Sequence, residues 1–502
     1  MTFTRSLLTA NLDSGLFNTW RTKCANFRRL TTRPALREVQ LMKLGAILLM
    51  ATVMMTTAAG GQSLPNLFPL PNHSGFLETY NVHNAPISLK GAFFQPLGTN
   101  GRSCSSCHLP TEGWSISAEE VQLRFLLTQG RDPIFRTNDG SNCDQNIETS
   151  TVQERRKAYS LLLSRGLIRI PLPLPDGAEF SVQSVNNPYG CSDTSTLSMY
   201  RRPLPTTNLG FLSTLMWDGR ESTPPSTQKI TYPNTGQLLA DLAHQAVDAT
   251  TIHALGSVPT PAQVQDIVNF ETALRTAQAF DFKAGLLNDG RATGGPVALA
   301  SQPFFIGIND SFPASFGFNP TGAAFDPNIF SLFNAWTNSR YASRASIARG
   351  QALFNSKPIT ISGVAGINDV VGLPASFSGT CGTCHDSPNV GNHSVSAPLN
   401  IGVADVTSPL DVSYLPVFTL VNITTHETVQ TTDPGRALIT GKWADIGKLK
   451  GPILRGLVSR APYFHNGSAS SLTDVLVFYD VRFNIGFTAQ EKADLIAFLN
   501  SL

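Results

Sequence analysis

Two short patterns, Cys104-Ser-Ser-Cys107-His108 and Cys381-Gly-Thr-Cys384-His385, constrain this chain more than any other feature. C-x-x-C-H is the pattern of covalent c-type haem attachment, in which two thiols form thioethers to the haem vinyl groups and the adjacent histidine becomes the proximal iron ligand. A zinc ribbon or a thioredoxin-type motif has no need of the following histidine, and here the two pairs lie far apart in the sequence. Two covalently bound haem c groups are therefore expected, one on Cys104, Cys107 and His108 and one on Cys381, Cys384 and His385.

The first sixty residues read as targeting rather than fold. Met42-Lys43 opens a basic n-region, the twelve residues Leu44 to Met55 are predominantly apolar, and Thr57-Ala58-Ala59 supplies small residues for cleavage. That is a Sec-type signal peptide over 42–61, too short to span a bilayer. Residues 1–41 are then a misassigned upstream extension with Met42 as the true start; a retained basic leader is the alternative. The mature protein is expected in the periplasm without a membrane anchor. Cys24 falls in the leader, and the remaining Cys143 and Cys191 form a disulfide in an oxidising compartment or stay as two free thiols.

Export also corrects the charge. The whole chain has a formal net charge of +2, but residues 1–41 hold seven basic residues against two acidic ones and Lys43 adds another, which leaves the body mildly acidic. With no Lys/Arg-rich run downstream, nucleic acid is excluded as a partner. At 41% hydrophobic and 14% charged, the 502 residues are rich enough in apolar side chains for two or three cored domains.

Helix starts are legible from caps. Thr260 with Gln263 opens a helix whose Val264, Ile267, Phe270 and Leu274 share a face; Ser471 with Asp474 opens one with Leu472, Val475, Leu476 and Tyr479 inward; Thr488 with Glu491 starts the last, with Leu495, Phe498, Leu499 and Leu502 on one stripe. Strand alternation is scarce outside short candidates around 167–183 and 412–421, and Gly285 to Pro327 reads as loop or linker. The expected fold is mostly α: two cytochrome c-like helical haem domains, 62–335 and 336–502, with long irregular insertions.

The two haem motifs, the segment Arg201-Arg-Pro-Leu-Pro-Thr-Thr-Asn208 leading to Trp217-Asp-Gly-Arg220, and the tail from Leu454-Arg455 through Ala461-Pro-Tyr-Phe-His465-Asn-Gly467 to Tyr479 resemble the bacterial diheme cytochrome c peroxidases and their MauG-type relatives. Segments 120–195, 286–340 and 391–445 have no recognised counterpart. The resemblance implies peroxide reduction at the N-terminal haem, on His108, and electron storage or relay at the C-terminal haem, on His385. Trp217 would relay electrons between them, and His465 would sit close to the C-terminal haem, bonding a propionate or its surroundings; a buried core tryptophan and a structural histidine are the alternatives. The implied partners are hydrogen peroxide or dioxygen and a small donor, a cytochrome c or a cupredoxin, with the oligomeric state left open. A diheme electron carrier without peroxide chemistry, a MauG-like oxidant of another protein and a diheme dioxygenase are the competing functions.

Departures from the family pattern add to this reading. Many members carry a gating histidine in the loop after the first motif, whereas here no histidine falls between His108 and His244. An Asn that helps hold a calcium ion in the family corresponds to Arg202, which disfavours calcium, although backbone carbonyls around Arg460 and Pro462 could still contribute. On the distal side the family uses Gln and Glu; Gln245 matches the Gln, and His253 falls near the position of the Glu. A histidine titrating near neutrality can take a proton from peroxide and return it; the alternatives for His253 are a core or surface residue, or a direct iron ligand. The position of the sixth ligand of the second haem, a methionine in many members, holds Tyr479, as in MauG-type enzymes; a core tyrosine bonded elsewhere is the alternative. His73, His83, His393 and His426 have no motif context.

Overall fold

The computed structural model describes residues 62–222, 235–312, 321–394 and 398–502. The upstream extension, the signal peptide and Cys24 lie outside the described residues. The three capped helices form where the sequence places them: Pro261–Ala273, Leu472–Phe483 and Ala489–Asn500, each with its N-cap hydroxyl accepting from the third amide and the third side chain returning to the cap amide. A longer helix, Ala342–Ser356, packs against Ala489–Asn500 around Phe330, Phe333, Phe354 and Phe498. The two backbones touch at Gly350, where a Cβ would stand 2.0 Å from the Asp494 carbonyl oxygen. Any larger residue there would force the helices apart.

The architecture is mixed α/β, which corrects the expectation of a mostly helical protein. Strands Ile168–Pro173, Phe180–Asn186 and Val417–Asn422 fall near the expected candidates, but Gly75–Asn81, Thr196–Arg201 and Leu274–Asp281 were not anticipated. Two physical reasons explain the misses. Leu274 completes the apolar face of the 261–273 helix, yet the chain turns extended at that residue and runs straight on as a strand antiparallel to Gly75–Asn81. The 196–201 strand is buried along nearly its whole length, so its sequence lacks the alternation of a half-exposed strand. The Gly285–Pro327 stretch holds, among the described residues, only the two-residue strand Gly285–Leu286 and the short helix Pro296–Ala300.

One sheet joins distant parts of the chain. Phe180–Asn186 pairs antiparallel with Val417–Asn422, which pairs in turn with Thr428–Thr431. Beside it, Arg201 at the end of its strand forms a buried fork with Asp433, at 2.7 and 2.8 Å. Cys143 and Cys191 are disulfide-bonded, with their Cα atoms 5.7 Å apart, and tie together a segment without a recognised counterpart. No helix among the described residues is long and apolar enough to cross a membrane.

Candidate functional site

The two C-x-x-C-H motifs adopt the same local structure. Each forms a single tight turn, Cys104–Ser106 or Cys381–Thr383, closed by the histidine amide donating to the first cysteine carbonyl at 3.1 and 3.0 Å. The residue before each histidine-bearing cysteine supplies a hydroxyl, Ser106 or Thr383, that accepts from the amide preceding the motif at 3.0 Å in both cases. Each histidine ring then donates from Nδ1 to the carbonyl six residues on: His108 to Trp114 at 3.0 Å and His385 to Gly391 at 3.1 Å. This bond fixes the tautomer and leaves Nε2 as the free ligand atom, the arrangement typical of metal-bound histidine. Burial holds the His108 imidazole down at about 4, against the Trp114 bond that favours its charge, and lowers His385 in the same way; both rings are neutral at pH 7. The thiols of Cys104, Cys381 and Cys384 are pushed up to about 12 by burial, that of Cys107 is also raised, and none of the four is in a disulfide.

Cys104, Cys107 and His108 open onto a cavity also lined by Trp217, Gln245 and His253. Gln245 lies on the helix Thr235–Asp248, which continues as a π-helical turn, Ala249–His253, that ends at His253. Among the described residues, His108 and His253 are the only histidines on this wall. The His253 ring is bonded through Nδ1 to Asp139 Oδ2 at 2.5 Å.

Cys381, Cys384 and His385 open onto a second cavity that also receives His465 and Tyr479. Leu472, Val475, Leu476 and Tyr479 all face it, as the helical spacing requires. Burial, with the two cysteine sulfurs Cys384 and Cys381 adding to it, raises the Tyr479 phenol well above its usual range. Whether this phenol serves the second site or packs as a core tyrosine follows from what occupies the cavity it faces. Burial lowers the His465 ring to about 4, Asp433 opposing and Arg201 assisting. Its Nε2 is buried without a partner, 3.8 Å from Asp433.

Trp217 lines both cavities. Its indole N–H donates to the Arg202 carbonyl and its own carbonyl accepts from the Lys450 amide, both at 2.8 Å. The Trp-Asp-Gly-Arg sequence explains this placement. Asp218 is fully buried between Arg201 and Arg220, and Gly219 takes a left-handed φ of 75° where a Cβ would lie 2.6 Å from Arg436.

Several wall residues escaped the sequence reading. Arg102 and Asp139 stand behind His253; Glu271, its carboxyl pushed up to about 8 by burial, lines the first cavity near Cys104. His393, which has no motif context, lines the second. Arg202, already singled out by sequence, and Lys450 are shared by both, and the buried Lys450 amine is lowered to about 7 by burial and then by Arg460. Only Lys450 was findable, from its place just ahead of Leu454-Arg455. Arg202 donates to the carbonyls of Arg165, Gly166, Ile116 and Arg460. The Arg460 carbonyl, which could have contributed to a calcium site, is thus already bonded to a guanidinium.

These residues fit two haem c groups. Each cavity presents two unpaired thiols and an imidazole with a bare Nε2, and the second has three basic side chains, Arg202, Lys450 and Arg460, with no carboxylate among its described lining residues. Such a wall suits a flat apolar ligand with anionic side groups, and the orphaned His465 Nε2 adds a polar atom that wants a partner.

No family model matches the chain. A stretch of 81 residues, 14% of this chain, is 40% identical to the cytochrome-c peroxidase IdrP1 of Pseudomonas sp. (strain SCT), of which it covers 21%. A match of 36% over 81 residues, covering 22% of the relative, is made with the cytochrome-c peroxidase IdrP1 of Denitromonas iodatirespirans. The chain therefore matches about a fifth of the length of these relatives, and its homology to cytochrome-c peroxidases is partial. Among solved structures, a MauG-like protein associated with microbial copper homeostasis aligns over 82% of this chain and 85% of its own at 16% identity and a TM-score of 0.35. Hydrazine synthase of Kuenenia stuttgartiensis aligns over 77% and 93% at 14% identity and a TM-score of 0.31.

Proposed function

We propose that the protein is an exported diheme c-type oxidoreductase that reduces hydrogen peroxide at the haem on His108, with electrons passed through the haem on His385 from a small periplasmic donor such as a cytochrome c or a cupredoxin. The observation that carries this reading is the shared wall: two cavities, each with its own C-x-x-C-H turn, meet at Trp217. Haem bound there would supply the iron centre at which the O–O bond is cleaved and the reserve of electrons that cleavage consumes.

The rest of the chemistry belongs to the chain. Neutral imidazoles at His108 and His385 would hold the two groups, and the Nδ1 bonds to Trp114 and Gly391 keep each ring from rotating. Gln245 offers an amide to orient peroxide, and His253 a ring nitrogen to move its proton. Trp217, fixed at both its indole and its carbonyl, is an aromatic bridge in the wall between the two sites. Tyr479 presents an unpaired phenol to the second site, where a phenolate would favour the ferric and higher states and make that haem an electron donor of low potential.

The test is the electronic spectrum of the ferric holoprotein before and after hydrogen peroxide. One high-spin haem that reacts without prior half-reduction is expected, with carbon monoxide binding immediately to one of the two reduced haems. Two low-spin haems inert to both ligands would overturn the reading and favour a diheme electron carrier.

A further inference from the structure

We infer that Asp139 is a positioning residue of the first site, holding the His253 ring so that its Nε2 is the atom presented to a ligand in the cavity. The inference rests on the peroxide reading of that site and adds a residue from segment 120–195, for which no counterpart is recognised.

The geometry is a clamp on one residue. Asp139 Oδ2 accepts from His253 Nδ1 at 2.5 Å, and the carboxylate is buried while the ring is about one-third exposed at the cavity. The main chain of His253 is held from the same side, its carbonyl accepting from Asn100 Nδ2 at 2.7 Å and Arg102 Nη1 at 3.2 Å. Asp139 is itself fixed. Its other oxygen accepts from Arg102 Nη1, whose guanidinium also donates to the carbonyls of Pro133 and Ile134 at 2.8 and 2.6 Å, and the Asp139 carbonyl accepts from the Arg169 amide at 2.8 Å. Gly140 lets the loop wrap this tightly, because a Cβ there would stand 2.7 Å from the Ile134 carbonyl oxygen and 2.8 Å from that of Arg136.

A carboxylate on Nδ1 does two things to an imidazole. It keeps the proton on Nδ1, so Nε2 carries the lone pair, and it stabilises the imidazolium formed when Nε2 takes a proton. Nε2 can then accept the proton of the near peroxide oxygen and return it to the far one. The far oxygen would leave as water with the O–O electron pair, haem held by His108 would supply the two electrons this cleavage consumes, and His253 ends as it began. Neither partner was placed together by sequence, because the two lie 114 positions apart.

The experiment uses the holoprotein with Asp139→Asn, His253→Gln and the double substitution. Stopped-flow mixing with hydrogen peroxide gives the rate, and the infrared C–O stretch of the ferrous carbon monoxide adduct reports the hydrogen-bonding atom facing the ligand without turnover. Asp139→Asn is expected to slow the peroxide reaction about 100-fold and to shift the C–O stretch. His253→Gln should slow it comparably, with no further loss in the double variant, because the two residues act as one unit. An unchanged C–O stretch in Asp139→Asn, or an equal further loss when it is added to His253→Gln, would reduce Asp139 to a structural residue. A wild-type protein that binds carbon monoxide but is inert to peroxide would sink the functional reading alone, while the C–O stretch would still decide whether Asp139 sets the ring; one that binds neither would overturn both.

Discussion

Replacing Arg201 by Met should destabilise the protein by about 3–5 kcal/mol, the cost of stripping one member from a buried ionic cluster. The side chains of Arg201, Asp218 and Asp433 are 2%, 0% and 3% exposed. Arg201 gives Asp433 a two-pronged bond and a further bond to Asp218. Without the guanidinium, Asp218 keeps Arg220, but Asp433 is left with the Gly435 amide at 2.8 Å and a distant His465. Burial alone would raise both carboxyls; arginine holds both below their ordinary range, Arg220 and Arg201 acting on Asp218 and Arg201 on Asp433. A depressed folded-state value contributes stability above the unfolded value, lost as pH falls through the folded one. The gap between wild type and variant should therefore be full at pH 7 and close in acid. Urea unfolding of the holoprotein at pH 7 and at stepwise lower pH measures it. A loss below about 1 kcal/mol at pH 7, the level of an exposed pair, or a gap that persists unchanged in acid, would refute the reasoning.

Tyr479→Phe should alter the low-spin signal of the second haem in electron paramagnetic resonance and raise its midpoint potential in a redox titration, leaving peroxide reactivity at the other haem intact; an unchanged signal and potential would remove Tyr479 from the iron. Calcium chelation should leave the melting temperature and haem spectra unchanged, since the Arg202 guanidinium already occupies the Arg460 carbonyl; a change reversed by added calcium would contradict this.

What the sequence revealed was whatever is written locally. The haem turns, the three capped helices and the inward stripe that carries Tyr479 each depend on residues within one or two turns of each other, so spacing alone exposes them. With the four motif cysteines and Cys24 of the leader set aside, Cys143 and Cys191 were left as a disulfide or two free thiols, and the fold bonds them. What stayed hidden depends on tertiary contact. The strand at Leu274 begins inside a helical apolar pattern because pairing with Gly75–Asn81 overrides local preference. Asp139 looks like any loop aspartate until the fold sets it against His253, and His393 acquires a meaning only from the cavity it faces.

The sheet that unites 180–186 with 417–431 governs how the chain can be assembled. The Arg201–Asp433 fork beside it spans 232 positions, and closing so long a loop costs about 5 kcal/mol of chain entropy before any contact rewards it. A polypeptide emerging from its N-terminus therefore waits with Phe180–Asn186 as a bare strand edge, a template for any extended neighbour, until Val417–Asn422 arrives. Fragments cut to carry one haem motif each would keep that raw edge. Two nascent chains held close together would have the option of lending each other the missing strand, a route to segment-exchanged pairs.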